Sequence, residues 1–240
     1  MHRALVALAV AQNPPEVQRG QTGLLLDDVY LRHLARVSDH PERLERLVAI
    51  RDGLDRSGLL KSLHRITPRR ATDEELTLVH SRAYLDLVRR ELSSLRGTAD
   101  LSTGDTLVSP GSLEAAQFAV GGVLNAVDVV MTKSVKNAFC AVRPPGHHAT
   151  PTRGMGFCIY NNVAIAARYM QKTHGVKRVL IVDWDYHQCK DLAAFLSGFE
   201  SKLCAKRLNM AGLILRKSRR TSPAKKPLWR LAAPLASRYV

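Results

Sequence analysis

Val179-Leu180-Ile181-Val182 is an unbroken apolar run that stops at Asp183, and the next residues read Trp184-Asp185-Tyr186-His187. A short, β-branched run with no polar alternation reads as a strand buried on both faces, the mark of a parallel sheet in an α/β protein. Side chains alternate along a strand, so Asp183, Asp185 and His187 share one face for as long as the extended geometry lasts. Open α/β sheets bind ligands just beyond the carboxyl ends of their strands. Carboxylate and imidazole at that place are donors that suit zinc or iron(II). A solvated acidic strand end followed by a loop histidine accounts for the same residues equally well.

A second apolar run, Phe139-Cys140-Ala141-Val142, leads into Arg143-Pro144-Pro145-Gly146-His147-His148-Ala149. The Pro-Pro-Gly sequence stops the strand, which puts His147 and His148 beyond a strand end as well. Histidine exchanges a proton near neutral pH and can serve as general base or acid. On its own, a His-His pair in a loop is more often a surface feature.

Three motifs together resemble the zinc-dependent histone deacetylase superfamily, which includes the acetylpolyamine amidohydrolases. They are Arg-Pro-Pro-Gly-His-His-Ala from Arg143, Gly-Phe-Cys-x-x-Asn-Asn-Val-Ala-x-Ala-Ala from Gly156, and Val-Asp-x-Asp-x-His from Val182. Trp184 and the Asp105-Thr106 segment are closer to the class II and bacterial members. The resemblance implies an α/β chain with the three-layer, parallel-sheet arginase/deacetylase-like fold. It implies that Asp185 and His187 hold zinc, and that His147 and His148 act as general base and acid. Asp183 would orient His147. Gly156 and Phe157 would line a narrow substrate tunnel, and Asp105 would accept hydrogen bonds from the substrate backbone. The local sequence also allows Phe157 as a core residue and Asp105 as an ordinary turn aspartate. The implied reaction hydrolyses an acetyl amide to acetate and a free amine. The amide would sit on acetyl-lysine in histones or other proteins, or on an acetylpolyamine. The family also carries a structural potassium ion beside the metal strand.

The resemblance runs from about Thr22 to His187. After it, Gln188, Cys189 and Lys190 depart from the family pattern, no third metal ligand is recognised, and Tyr239 lacks the family's context for a carbonyl-polarising tyrosine. The expected organisation is therefore a leader or frayed end over 1–21, a partial deacetylase domain over 22–188, incomplete at its C-terminus, and a divergent basic tail over 189–240. The tail would be a truncated or frameshifted continuation, or else a nuclear signal or nucleic-acid arm. Two functional readings follow: a zinc-dependent amidohydrolase, or an inactive family fragment that regulates or binds through its basic tail.

Charge supports that division. The formal net charge is +15, yet between Cys189 and Val240 twelve Lys and Arg meet only Asp191 and Glu200, so ten of the fifteen charges sit there. The basicity therefore says little about the rest, and nucleic acid is not an expected partner of the domain. The four cysteines have no Cys-x-x-Cys spacing and read as reduced thiols. That fits a cytoplasmic or nuclear protein. Residues 4–11 resemble a short signal peptide, which keeps export as the alternative; a first strand is the plainer account. No run is read as a membrane span.

Along the chain, residues 22–30 read as an early loop. A helix is expected from Pro41, with Leu44, Leu47, Val48 and Leu54 on its apolar side and Gly58 as its stop. The His40-Pro41-Glu42-Arg43 sequence also resembles the family's first active-site loop. Residues 63–66 read as a strand. Thr72 with Glu75 forms a capping box. A helix follows over 83–95 with Leu85, Val88 and Leu92 inward, and His80 before it reads as structural. Residues 97–111 form a polar loop at the substrate lip. A long helix spans 113–131, with Gly121-Gly122 packed on the sheet, and another spans 162–173, stopped by Gly175.

Overall fold

The computed structural model describes residues 21–183 and 185, and the backbone of β1 (Val6–Val10). The expected site residue His187 and the 189–240 tail lie outside the described residues. So do residues 1–21, apart from β1 and Gln21.

A parallel sheet forms the frame. β2 (Thr22–Leu25) lies between β3 (His64–Arg65) and β6 (Asn137–Cys140), hydrogen-bonded in parallel to both. The early loop expected over 22–30 is thus a central strand followed by a 3₁₀ turn over Asp28–Arg32. Thr22-Gly23-Leu24-Leu25 has no alternation to betray it. It is a strand because neighbours on both sides take up its backbone groups. Gly23 packs closely under Ile66: a Cβ there would come 2.7 Å from Ile66 Cδ1, at the end of that side chain.

β7 (Val179–Asp183) pairs antiparallel with β1, Val6 opposite Asp183 and Val10 opposite Val179. This differs from the parallel neighbour that its apolar run suggests. A continuous apolar run reports burial, not the direction of the partner strand. Alternate β7 residues, Val179, Ile181 and Asp183, are the fully buried ones.

The helices follow their local signals. α1 (Glu45–Arg56) begins later than Pro41, because Glu42 turns inward to a distant partner described below; Gly58 follows its end with φ +70°. α2 (Asp73–Leu76) carries the complete capping box, Thr72 accepting from Glu75 N and the Glu75 carboxylate accepting from Thr72 N. α3 (Arg82–Ser93) starts at a Ser81 cap and buries Tyr84, Leu85, Val88 and Leu92. β4 (Ala99–Asp100) and β5 (Leu107–Val108) form a small antiparallel hairpin inside the polar 97–111 segment.

α4 (Ser112–Met131) supports both cores. Ala116, Val120, Leu124 and Val127 join α3 residues, Val179 and Ile181 in one apolar cluster. Ala119 and Ala126 face another, with Leu25, Val29, Tyr30 and Leu47. α4 is also long and apolar enough to cross a membrane, contrary to the reading from sequence that no run is. A helix that is apolar on most sides is equally a core helix, and α4's two buried faces make it one. Of its glycine pair, Gly122 meets Leu25 on the sheet as expected, but Gly121 meets the backbone of Arg69 to Ala71. α5 (Asn162–His174) ends at Gly175, φ +66°.

Candidate active site

Two strand ends meet at one place. β6 leads through Ala141 and Val142 into the Arg143 to Ala149 loop, and β7 ends on Asp183. His147, His148 and Asp183 are all buried, at 5 %, 7 % and 1 % exposure. His147 stands between the two aspartates. Its Nδ1 lies 3.2 Å from Asp183 Oδ2, and its Nε2 lies 3.5 Å from Asp185 Oδ2. The Nδ1 contact is close but off the angle of a good hydrogen bond, so His147 Nδ1 and Asp183 Oδ2 are both buried without one. Asp183 Oδ1 accepts from Asp185 N at 3.0 Å, which fixes the turn after the strand. The His147 and His148 rings meet edge to face, centroids 4.2 Å apart.

The expectation that Asp183 and Asp185 reach the same place as the tandem histidines therefore holds. One ligand atom each from His147, His148 and Asp185 lies within 4.8 Å of the others. Imidazole and carboxylate are the donor types zinc takes, and here two imidazoles and a carboxylate converge within reach of one ion. The residues present fit a metal ion.

The loop before α5 runs beside His148. Gly156 has φ +55° and Phe157 φ +67°. For Phe157, this left-handed backbone is uncommon and costs energy that the surroundings must supply. Gly156 is required on two counts, since a Cβ would come 2.6 Å from His148 Cδ2. Phe157 is half-buried, and the His40 ring lies edge-on to it at 4.8 Å. Asp105 is exposed and accepts from Gly156 N at 2.9 Å, so the polar segment is tied to the aromatic one.

Several supporting residues carry no role in the motifs as read from sequence. Asn161 caps α5 by accepting from Ala164 N, and its Nδ2 donates to Ala149 O at 2.9 Å and His147 O at 3.4 Å. One side chain thus starts a helix and holds the histidine loop. Its own N–H donates to His80 Nε2 at 2.9 Å. His80 is structural, as expected, and burial pulls its pKa down to about 4. His33 is also fully buried, with Nδ1 2.8 Å from Ser112 Oγ, and burial pulls its pKa down to about 3. Burial pushes the Cys158 thiol up, so it stays protonated beneath the loop. Glu42 and Arg143 form a buried ion pair whose partners are 101 residues apart. The clue in sequence was a charged residue inside each motif, but the pairing needed the fold.

Residues 40–198 match the histone deacetylase domain. The human protein named polyamine deacetylase HDAC10 is 43% identical over 153 residues, covering 61% of this chain and 22% of that protein. Histone deacetylase 6 of Caenorhabditis elegans is 42% identical over 156 residues, covering 62% and 16%. A probable deacetylase of Archaeoglobus fulgidus is 38% identical over 168 residues, covering 69% and 45%. The chain thus spans less than half the length of these relatives. Among solved structures, the HDA15 HD domain is similar at a TM-score of 0.69 and 36% identity, over 76% of this chain and 53% of that one.

Proposed function

The chain belongs to the histone deacetylase domain family, and from that premise we propose that it hydrolyses acetyl amides to acetate and a free amine at a zinc centre. The observation that carries the reading is the convergence of His147, His148 and Asp185, with ligand atoms within 4.8 Å of one another. Asp185 would hold zinc together with His187, whose assignment rests on the Asp-x-Asp-x-His motif. Zinc there would supply Lewis acidity at the amide carbonyl and at the attacking water.

The chain's own residues carry the proton steps. Asp183, whose Oδ2 lies 3.2 Å from His147 Nδ1, would orient the ring so that Nε2 faces Asp185. His147 Nε2 takes the proton from water. His148, beside it, returns a proton to the departing amine, since at neutral pH that amine leaves as the protonated product. Gly156 and Phe157 would flank the substrate's methylene chain. A ring face packs well on methylenes, and glycine lets the chain pass close to the backbone. Asp105, with one oxygen on Gly156 N, would take a backbone N–H of the substrate.

Relatives named for polyamines and for histones support two substrate classes, acetylpolyamine and protein acetyl-lysine. Both present an amide at the end of a flexible apolar arm. The test is acetate release from an acetyl-lysine peptide and from an acetylated polyamine, with and without a zinc chelator. Chelator-sensitive turnover of either supports the proposal. Chelator-insensitive turnover of both refutes it. No turnover favours an inactive family fragment.

A further inference from the structure

The strongest unassigned feature is the pair Glu42–Arg143. Both side chains are almost wholly buried, at 4% and 3% exposure. Arg143 opens the loop that carries His147 and His148, and its guanidinium is saturated. Nε donates to Glu42 Oε2 at 2.7 Å and Oε1 at 3.1 Å, and Nη2 approaches Oε2 to 2.6 Å. Nη2 also donates to Glu42 O at 3.2 Å. Nη1 donates to the carbonyls of Tyr30 at 3.3 Å and His33 at 3.1 Å. One planar fork thus joins the histidine loop, the 3₁₀ turn after β2, and the His40-Pro41-Glu42 segment. Only arginine offers that many fixed donors.

The contacts continue to the other end of the same loop. Glu42 N donates to His40 Nδ1 at 3.1 Å, and the His40 ring meets Phe157 at 4.8 Å. Phe157 follows Gly156, which packs on the His148 ring. The path from Arg143 through Glu42, His40, Phe157 and Gly156 therefore returns to His148, five residues from where it began.

We propose that Arg143 and Glu42 are positioning residues of the reaction: the clasp sets the histidine loop and the aromatic wall together. The proposal rests on the hydrolytic reading of the site. A buried ion pair contributes little stability beyond what apolar side chains of similar volume give, whereas removing one partner strands a buried charge. What an apolar pair cannot reproduce is the directional hold on three segments at once.

That difference defines the experiment, on the full chain, with Arg143→Met and the double variant Glu42→Leu/Arg143→Met. The single variant should lose roughly 10 °C in Tm, and the double variant should regain most of it. In the double variant kcat should still fall by about 10²-fold, the cost of a misplacement near 1 Å, with KM within about twofold of the parent. Hydrogen exchange at the Ala149 and Thr150 amides, bonded to Gly146 O and Arg153 O, should rise in the double variant. Recovery of kcat together with Tm would overturn the proposal, for the pair would then only fill space. If the parent chain shows no turnover, the hydrolytic reading fails by itself, and the exchange measurement still decides: parent-like protection in the double variant overturns the clasp.

Discussion

Gly156→Ala probes the site through a single methyl group. At φ +55° the new residue would hold a left-handed backbone, which costs an L-residue about 1–2 kcal/mol. Its Cβ would lie 2.6 Å from His148 Cδ2, 2.7 Å from Cγ and 2.9 Å from Cβ. Carbon atoms settle at about 3.5–4.0 Å, so the His148 ring must retreat by about 1 Å. It is buried and already abuts the His147 ring at 4.2 Å, so the displacement passes to both histidines. Overpacking of this kind adds about 1–3 kcal/mol. The expected loss is roughly 2–5 kcal/mol, or about 5–15 °C in Tm for a chain of this size, with kcat down about 10²-fold. Gly175→Ala is the matched control. It has φ +66° but nothing within 4 Å of its Cβ, so it should lose only the backbone share, about 1–2 kcal/mol, with turnover unchanged. Thermal unfolding and acetate release on both variants decide the matter. Equal Tm losses in the two, or parent-like turnover in Gly156→Ala, would refute the reasoning.

Two further predictions concern stability. Gly121→Ala would drive a Cβ into the Arg69 carbonyl oxygen and within 2.7 Å of Ala71 N; backbone cannot yield, so denaturant unfolding should show a loss of about 3 kcal/mol or more. Gly53→Ala, in α1 with nothing within 4 Å, should instead gain about 0.5–1 kcal/mol. The second concerns pH. His80 and His33 have folded pKa values lowered by burial to about 4 and about 3. Below their unfolded value the unfolded chain binds protons that the folded chain refuses, so the stability they allow is intact above pH 6.5 and falls as the pH drops. Each should cost about 1.5 kcal/mol between pH 6.5 and 5. His80→Gln keeps an acceptor for Asn161 N and should remove about one such share from the loss, as read by unfolding at the two pH values. An unchanged loss would mean that His80 is protonated in the fold.

What could be read from the sequence was what neighbours in the chain decide. The Thr72–Glu75 box, α4 and the Gly175 stop depend on groups a few residues apart, and all stand where local chemistry puts them, while the helix expected over 83–95 runs Arg82–Ser93 behind a Ser81 cap that was not read. The convergence of the tandem histidines with Asp183 and Asp185 was legible because both motifs follow strand ends. β2 was not, since a four-residue strand with a glycine shows no period, and its partners lie at residues 64–65 and 137–140. The start of α1 shifted because Glu42 answers to Arg143 rather than to the helix. Asn161 read as part of a motif, yet its hold on His147 and Ala149 carbonyls depends on how the loop folds back.

The zinc centre proposed at Asp185 and its neighbours is open to direct measurement. Its most direct test is zinc content per chain, measured on the purified protein and on Asp185→Asn after equal exposure to zinc and removal of excess. Close to one zinc per chain is expected in the parent and a large loss in the variant, because a carboxylate ligand has been exchanged for a weaker neutral one. A parent chain that retains no zinc, or a variant that retains as much as the parent, would contradict it.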